Sequence, residues 1–365
     1  MDDDNTSRGV SPLNRRDVLS FAAAAPFCVP GGGGGPPPCT TRSWRMGFFP
    51  TGGRFTVESI IAGINSFSQR AEYLHIHEEL PWKELLGGTS ADEILTREKE
   101  KLIAYCRAKG LRIGFMGDLN DGLSRGQEAP QLRALGRSIT EPEVQRAYSA
   151  YVRAFVRRFK PDYVGLAAET NLIRQAAPAK LYAGVVAAAN ATAADLAAER
   201  LRTPPMISVQ VEAAWGVLVG KARFQGIAAD IKDFPFARML GLSSYPYFGY
   251  AEPEAIPGDY YTRLAGVRRM PAMIVEGGWT SASVGPVSST PALQARYIAR
   301  HAGLLDSIRA RGVIQTLYAD IDLSSLPMAV PEILPLFTQI GLTDADLKPK
   351  PALGVWDGLF ARKLR

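Results

Sequence analysis

After Trp44, short apolar runs alternate with longer amphipathic segments eight times, and this alternation constrains the fold more than any other feature of the chain. The runs are WRMGFF, EYLHIH, RIGFMG, YVGLAA, MISVQV, MLGLSS, AMIVEG and IQTLYA, beginning at Trp44, Glu72, Arg112, Tyr163, Met206, Met239, Ala272 and Ile314. Between them, stretches such as PEVQRAYSAYVRAFVRRF and PALQARYIARHAGLLDSIRARG repeat apolar residues at three and four positions, the spacing of one buried helix face. Lys109-Gly110, Lys160-Pro161 and Arg311-Gly312 stop helices just ahead of strands. Strands separated by helices pair in parallel. Eight such units over roughly 320 residues predict an α/β protein, a single (β/α)8 TIM barrel. Two open doubly wound domains would need a linker between them, and none interrupts the alternation. Gly52-Gly53 in FPTGGRF reads as a turn, since no glycine-rich phosphate loop follows the first strand.

The barrel is expected over residues 44–365, preceded over residues 1–43 by an export signal and a Gly/Pro linker. Arg15 and Arg16 stand before Asp17, Val18 and Leu19 and a short apolar run, an order resembling bacterial twin-arginine signals. The expected location is therefore periplasmic or extracellular, with no stable membrane span once the signal is removed. CVPGGGGGPPPC cannot bury a core and reads as a linker. Three cysteines make no disulfide framework, and Cys106, inside REKEKLIAYCRAKG, reads as a buried thiol.

In such a barrel the chemistry gathers where strands end, at one face. The exits supply His77 after strand two, Asp118 and Asn120 after three, Glu169 and Asn171 after four, Glu212 and Trp215 after five, Tyr245 and Tyr247 after six, Glu276 and Trp279 after seven, and Tyr318 after eight. PDYVGLAAETN and PAMIVEGGWTS share one grammar, an apolar strand that closes on a glutamate. Strands four and seven face each other across the mouth, so Glu169 and Glu276 are able to converge on one substrate. Cleavage of a glycosidic bond needs such a pair: one carboxyl protonates the leaving oxygen, and one carboxylate attacks the anomeric carbon. In a retaining enzyme the two would lie about 5–5.5 Å apart.

VGLAAETN, MLGLSSYPYF and MIVEGGWTS, with the tail LTDADLKPKPALGVW, resemble the glycoside hydrolase clan A of retaining (β/α)8 enzymes, and most of all family 53, the endo-β-1,4-galactanases, or a divergent relative of it. The resemblance covers nearly all of the chain after Trp44. It implies Glu169 as acid/base, Glu276 as nucleophile and Tyr245 as the tyrosine that bonds the nucleophile. It also implies a retaining glycoside hydrolase acting on β-linked oligo- or polysaccharide. Ala168 stands where clan members place an asparagine that contacts the sugar 2-hydroxyl. Asn171, Tyr245, Tyr247, Trp279, Trp215, Glu212, His77, Asn120 and Tyr318 are the expected substrate contacts, the aromatic rings serving flat sugar faces.

No cofactor or metal is expected, because His75 and His77 alternate on one strand without a third histidine nearby; His301 falls in a helix. The net charge of +6 is spread along helical segments such as YVRAFVRRFK, which argues against a nucleic-acid partner. The expected partner is carbohydrate, and the expected state a monomer. A non-catalytic carbohydrate-binding barrel is the alternative, with the glutamate pair favouring the hydrolase.

Overall fold

The computed structural model describes residues 40–218, 223–326 and 329–365. The twin-arginine motif, the Gly/Pro linker, Cys28 and Cys39 lie outside the described residues. The barrel strands are β1 (Arg45–Phe48), β2 (Tyr73–Glu79), β3 (Arg112–Asp118), β4 (Tyr163–Ala167), β5 (Pro205–Gln210), β6 (Met239–Ser244), β7 (Ala272–Gly277) and β8 (Gly312–Gln315). All pair in parallel in sequence order, and β1 closes the barrel against β8. The expected (β/α)8 architecture is therefore present. A further pair of two-residue strands, Thr41–Arg42 and Lys363–Leu364, ties the start of the barrel region to its end.

The long amphipathic segments form the outer helices, among them Pro142–Phe159, Ala179–Ala198 and Pro291–Ser307. Pro142–Phe159 ends where Lys160 turns left-handed at φ 42°, leaving the next residue, Pro161, clear of the helix. Pro291–Ser307 stops ahead of the expected Arg311-Gly312, and Gly312 opens β8 instead. Ala179–Ala198 is the one described helix long and apolar enough to cross a membrane. It lies in the outer ring, with Leu181, Val185, Ala188 and Leu196 buried.

Two apolar layers hold the fold. A small cluster inside the barrel joins Tyr73, Met116, Tyr163, Met206, Met239, Met273, Val275 and Ile314. A larger layer fills the space between strands and helices, and it includes Val164, Leu166, Ala167 and Ile274. Side chains on a strand alternate between such layers, yet β4 and β7 each break the count. On β4 the pairing to β5 steps from Gly165 to Ala167 and leaves Leu166 unpaired. On β7 the pairing to β6 steps from Ile274 to Glu276 and leaves Val275 unpaired. A bulge adds one residue and re-aims the side chains beyond it. Both strands that end on the paired glutamates carry one, immediately before the exit.

Candidate active site

Glu169 caps the helix Thr170–Ala176 in a left-handed conformation, φ 47° and ψ 47°, which a β-carbon disfavours and which persists only where surrounding contacts enforce it. Its backbone N–H donates to Ser208 Oγ at 2.9 Å, and its carbonyl accepts from the N–H of Leu172 and Ile173. Glu276 is followed by Gly277 and Gly278, at φ 156° and 157°. A β-carbon on Gly277 would meet the Ser244 carbonyl oxygen at 2.3 Å. The glycine after the glutamate is thus required by the closeness of β6.

The two glutamates line one cavity of about 770 Å³ at the barrel mouth, together with Arg125, Gln210, Tyr245 and Thr316. Glu276 Oε1 accepts from the Tyr245 hydroxyl at 2.7 Å, and that hydroxyl lies 3.1 Å from Thr316 Oγ1. Glu276 Oε2 is 3.5 Å from His77 Nδ1, while His77 Nε2 is 3.0 Å from Asp118 Oδ2 in an ion-pair contact. Arg125 completes the chain of charges. Its Nη1 donates to Asp118 Oδ1 at 2.6 Å, and its Nε donates to Glu169 Oε2 at 2.8 Å. Asp118 therefore stands between two cations, each of which faces one glutamate.

Burial sets the acid strengths apart. Glu169 is raised above the ordinary carboxylate range by desolvation and by the negative charge of Glu276, which outweigh the Arg125 guanidinium. Burial would raise Glu276 too, but the hydrogen bond and charge of His77, with Arg125 and Tyr245, bring it below that range. His77 is pushed up to about 10, because Asp118 and Glu276 outweigh the desolvation that opposes its charge. Asp118 is held well below the usual range by Arg125 and His77 against its own burial. Two cations, His77 and Arg125, then face three carboxyls. The cluster is neutral when Glu169 keeps its proton.

His77 gives a stability test with a definite sign. Its folded-state value of about 10 lies above the free value of about 6.5, so the stabilisation is complete below pH about 6.5 and disappears as pH rises through about 10. The difference in Tm between wild type and His77→Gln should accordingly be largest near pH 6 and shrink steadily toward pH 10. A difference independent of pH would contradict a charged His77.

The remaining expected contacts sit elsewhere. Asn171 is fully buried, donating from Nδ2 to the Gln210 carbonyl and accepting from the Gln210 N–H on Oδ1, both at 2.8 Å. It ties the helix after β4 to the end of β5, and the cavity lining does not include it. Glu212 is buried among Ser244, Tyr260 and Gln210 as their acceptor. Asn120 donates to the Arg125 carbonyl at 2.6 Å and so shapes the loop that carries the arginine. Tyr247 donates to the Leu336 carbonyl at 3.0 Å. Trp215 and Trp279 bond to the Tyr260 carbonyl and to Ser289 Oγ. Tyr318 bonds Ser66 and Arg70, packing on Phe48 and Phe67 beneath the helices. None of these four aromatic residues lines the cavity. His75 shares a hydrogen bond with Tyr163 inside the barrel, Nδ1 to hydroxyl at 2.8 Å.

Arg125 and Thr316 were not foreseen. The exit rule looks only at residues next to strands, and Arg125 lies in a loop, seven positions beyond Asp118. Two buried carboxyls beside a partly buried third do, however, demand cations, and SRGQE supplies an arginine inside that loop. Cys106 is buried, free and pushed up to about 12 by desolvation.

No protein-family profile matches the chain, and no curated protein matches its sequence. Solved structures do. An exo-β-1,4-mannosidase from Opitutaceae bacterium strain TAV5 is 14% identical with a TM-score of 0.62, over 88% of this chain and 60% of that one. A GH5_18 protein from Streptomyces cattleya, solved with GlcNAc, is 17% identical with a TM-score of 0.61, over 89% of this chain and 83% of that one. Xylanase 10B from Thermotoga maritima is 13% identical with a TM-score of 0.55, over 87% of this chain and 95% of that one. The chain thus spans less than two thirds of the mannosidase. At these identities the likeness is one of fold, the (β/α)8 barrel, and it does not single out family 53.

Proposed function

We propose that the chain is a retaining glycoside hydrolase acting on β-linked sugars. The observation that carries this reading is the pair of strand-end glutamates in one cavity whose acidities are driven in opposite directions, Glu169 up and Glu276 down. Such a division supports Glu169 as acid and Glu276 as nucleophile. In the first step a Glu276 carboxylate oxygen bonds the anomeric carbon as the bond to the leaving oxygen breaks, and Glu169 gives that oxygen its proton. Water then attacks the same carbon, yields a proton to Glu169, and frees Glu276. Tyr245 and His77 hold the nucleophile ionised and oriented between turnovers. Asp118 keeps His77 charged.

A second reading rests on Arg125, whose Nε occupies Glu169 Oε2. An arginine bound there opposes the protonation that an acid/base needs, and with Ala168 in place of asparagine it suits a carbohydrate-binding barrel without turnover. Incubating the purified protein with a panel of β-linked glycosides while following anomeric configuration separates the two. Release of the β-anomer supports the retaining mechanism. Inversion would refute it, and binding without release would favour the second reading.

Export by the twin-arginine route belongs to the same proposal. Changing Arg15 and Arg16 together to lysine should leave the protein in the cytoplasm, and unchanged export would remove that reading.

A further inference from the structure

The walls of the cavity are unlike its floor. Among the described residues only three charged ones line it, Arg125, Glu169 and Glu276, and all three belong to the charged cluster at the bottom. Beside them stand the polar side chains of Ser124, Gln127, Gln210, Tyr245 and Thr316, and the rest of the lining is mainly aliphatic and aromatic: Leu123, Leu172, Leu218, Phe248, Ile333 and Leu336. Two of these, Leu123 and Ile333, remain 43% and 40% exposed at the rim, among the few large apolar side chains so placed. Exposed apolar surface gathered around a concave site is a mark of ligand contact.

A cleft for a sugar polymer would present flat rings and a succession of polar side chains, since each sugar unit brings several hydroxyl groups. Among the described residues no tryptophan lines this cavity. Trp215 and Trp279 are bonded elsewhere, and Trp82 is fully buried. Phe337 stands edge-on to Tyr245 at 4.9 Å and to Phe248 at 5.6 Å. Hydroxyl groups placed against the apolar side chains would lose water without gaining partners, which costs on the order of 1–3 kcal/mol each. Apolar carbon gains about 0.8 kcal/mol per buried methylene.

We infer that the cavity takes a single β-linked sugar at the glutamates and an apolar alcohol, of alkyl or fused-ring type, along the walls. The substrate class is then a glycoside of an apolar alcohol, and not an oligosaccharide. The volume of about 770 Å³ falls within the roughly 300–1,000 Å³ that encloses one small molecule. This inference rests on the glycosidase reading. In turnover the alcohol departs with the proton of Glu169.

Alkyl β-glycosides provide the test, because methyl, butyl, octyl and dodecyl alcohols leave with nearly equal intrinsic ease and differ mainly in apolar length. The series is prepared on β-glucose, β-mannose, β-galactose, β-xylose and β-N-acetylglucosamine, beside the corresponding β-1,4-linked disaccharides. On the accepted sugar, kcat/KM should climb severalfold per added methylene until the walls are covered, up to about fourfold where burial is complete. Dissociation constants measured by calorimetry on the wild-type protein should fall in parallel, with a negative heat-capacity change that grows with chain length. The rim variant Leu123→Asp/Ile333→Asp should flatten that dependence. A flat series, or a disaccharide preferred to the octyl glycoside, overturns the apolar-alcohol assignment and leaves the glycosidase reading standing. Chain-length-dependent binding with no turnover of any glycoside keeps the apolar site and removes the glycosidase. If the rim variant keeps the full slope, the walls named here are not the contact surface.

Discussion

Glu276→Ala should lower kcat by on the order of 10⁴- to 10⁶-fold while the protein keeps its fold, the scale seen when an enzyme loses its attacking atom. The barrel interior remains packed by Met273 and Val275, and His77 keeps Asp118 as its counter-charge. Two readouts isolate the effect. Circular dichroism should be unchanged, and a substrate with an activated leaving group should produce no burst of released alcohol, because no glycosyl-enzyme forms. Wild-type turnover in this variant would remove Glu276 as nucleophile.

Glu169→Ala should behave differently, with a loss of about 10²- to 10⁴-fold for alkyl glycosides, the usual contribution of a general acid. Aryl glycosides with acidic phenols need no proton to depart, so their first step should survive and the glycosyl-enzyme should accumulate. Added azide, which attacks without a general base, should restore turnover and give a β-glycosyl azide. The pH profile supplies an independent check. In wild type the acid limb should follow protonation of Glu276, brought below the ordinary carboxylate range, and the alkaline limb should follow deprotonation of Glu169, raised above it. Removal of Glu169 should erase the alkaline limb and leave the acid one. An alkaline limb that persists unchanged would mean that another group supplies the proton.

Why some of this was visible in the sequence is a matter of range. The eight strands were legible because each is a short apolar run set off by helices, and that pattern is local. Glu169 and Glu276 were legible because a carboxylate closing an apolar strand is costly unless it has a task or partners. The same rule over-reached at Glu212, whose partners Ser244, Tyr260 and Gln210 come from residues that nothing in its own segment announces. For the aromatics, position near a strand end did not decide direction. Tyr318 turned under the helices and Trp279 into the packing of Tyr297, 5.2 Å between ring centroids, because large rings gain more from burial than from a place at the mouth. Arg125 was hidden for a further reason, since a loop residue reveals its role only once the loop is folded.

The unpaired Leu166 and Val275 imply an unequal response of the site to two kinds of genetic change. Exchanging either residue for another apolar one alters packing by a modest amount, and selection is free to explore such exchanges. Losing a codon is another matter. Without Val275 the strand returns to regular alternation, and Glu276, directly after Ile274, would take the inward position that Val275 now fills in the interior cluster. The placement of each glutamate is therefore written in the length of its strand. Among descendants of this chain, the segments 163–169 and 272–277 should vary in composition long before they vary in length.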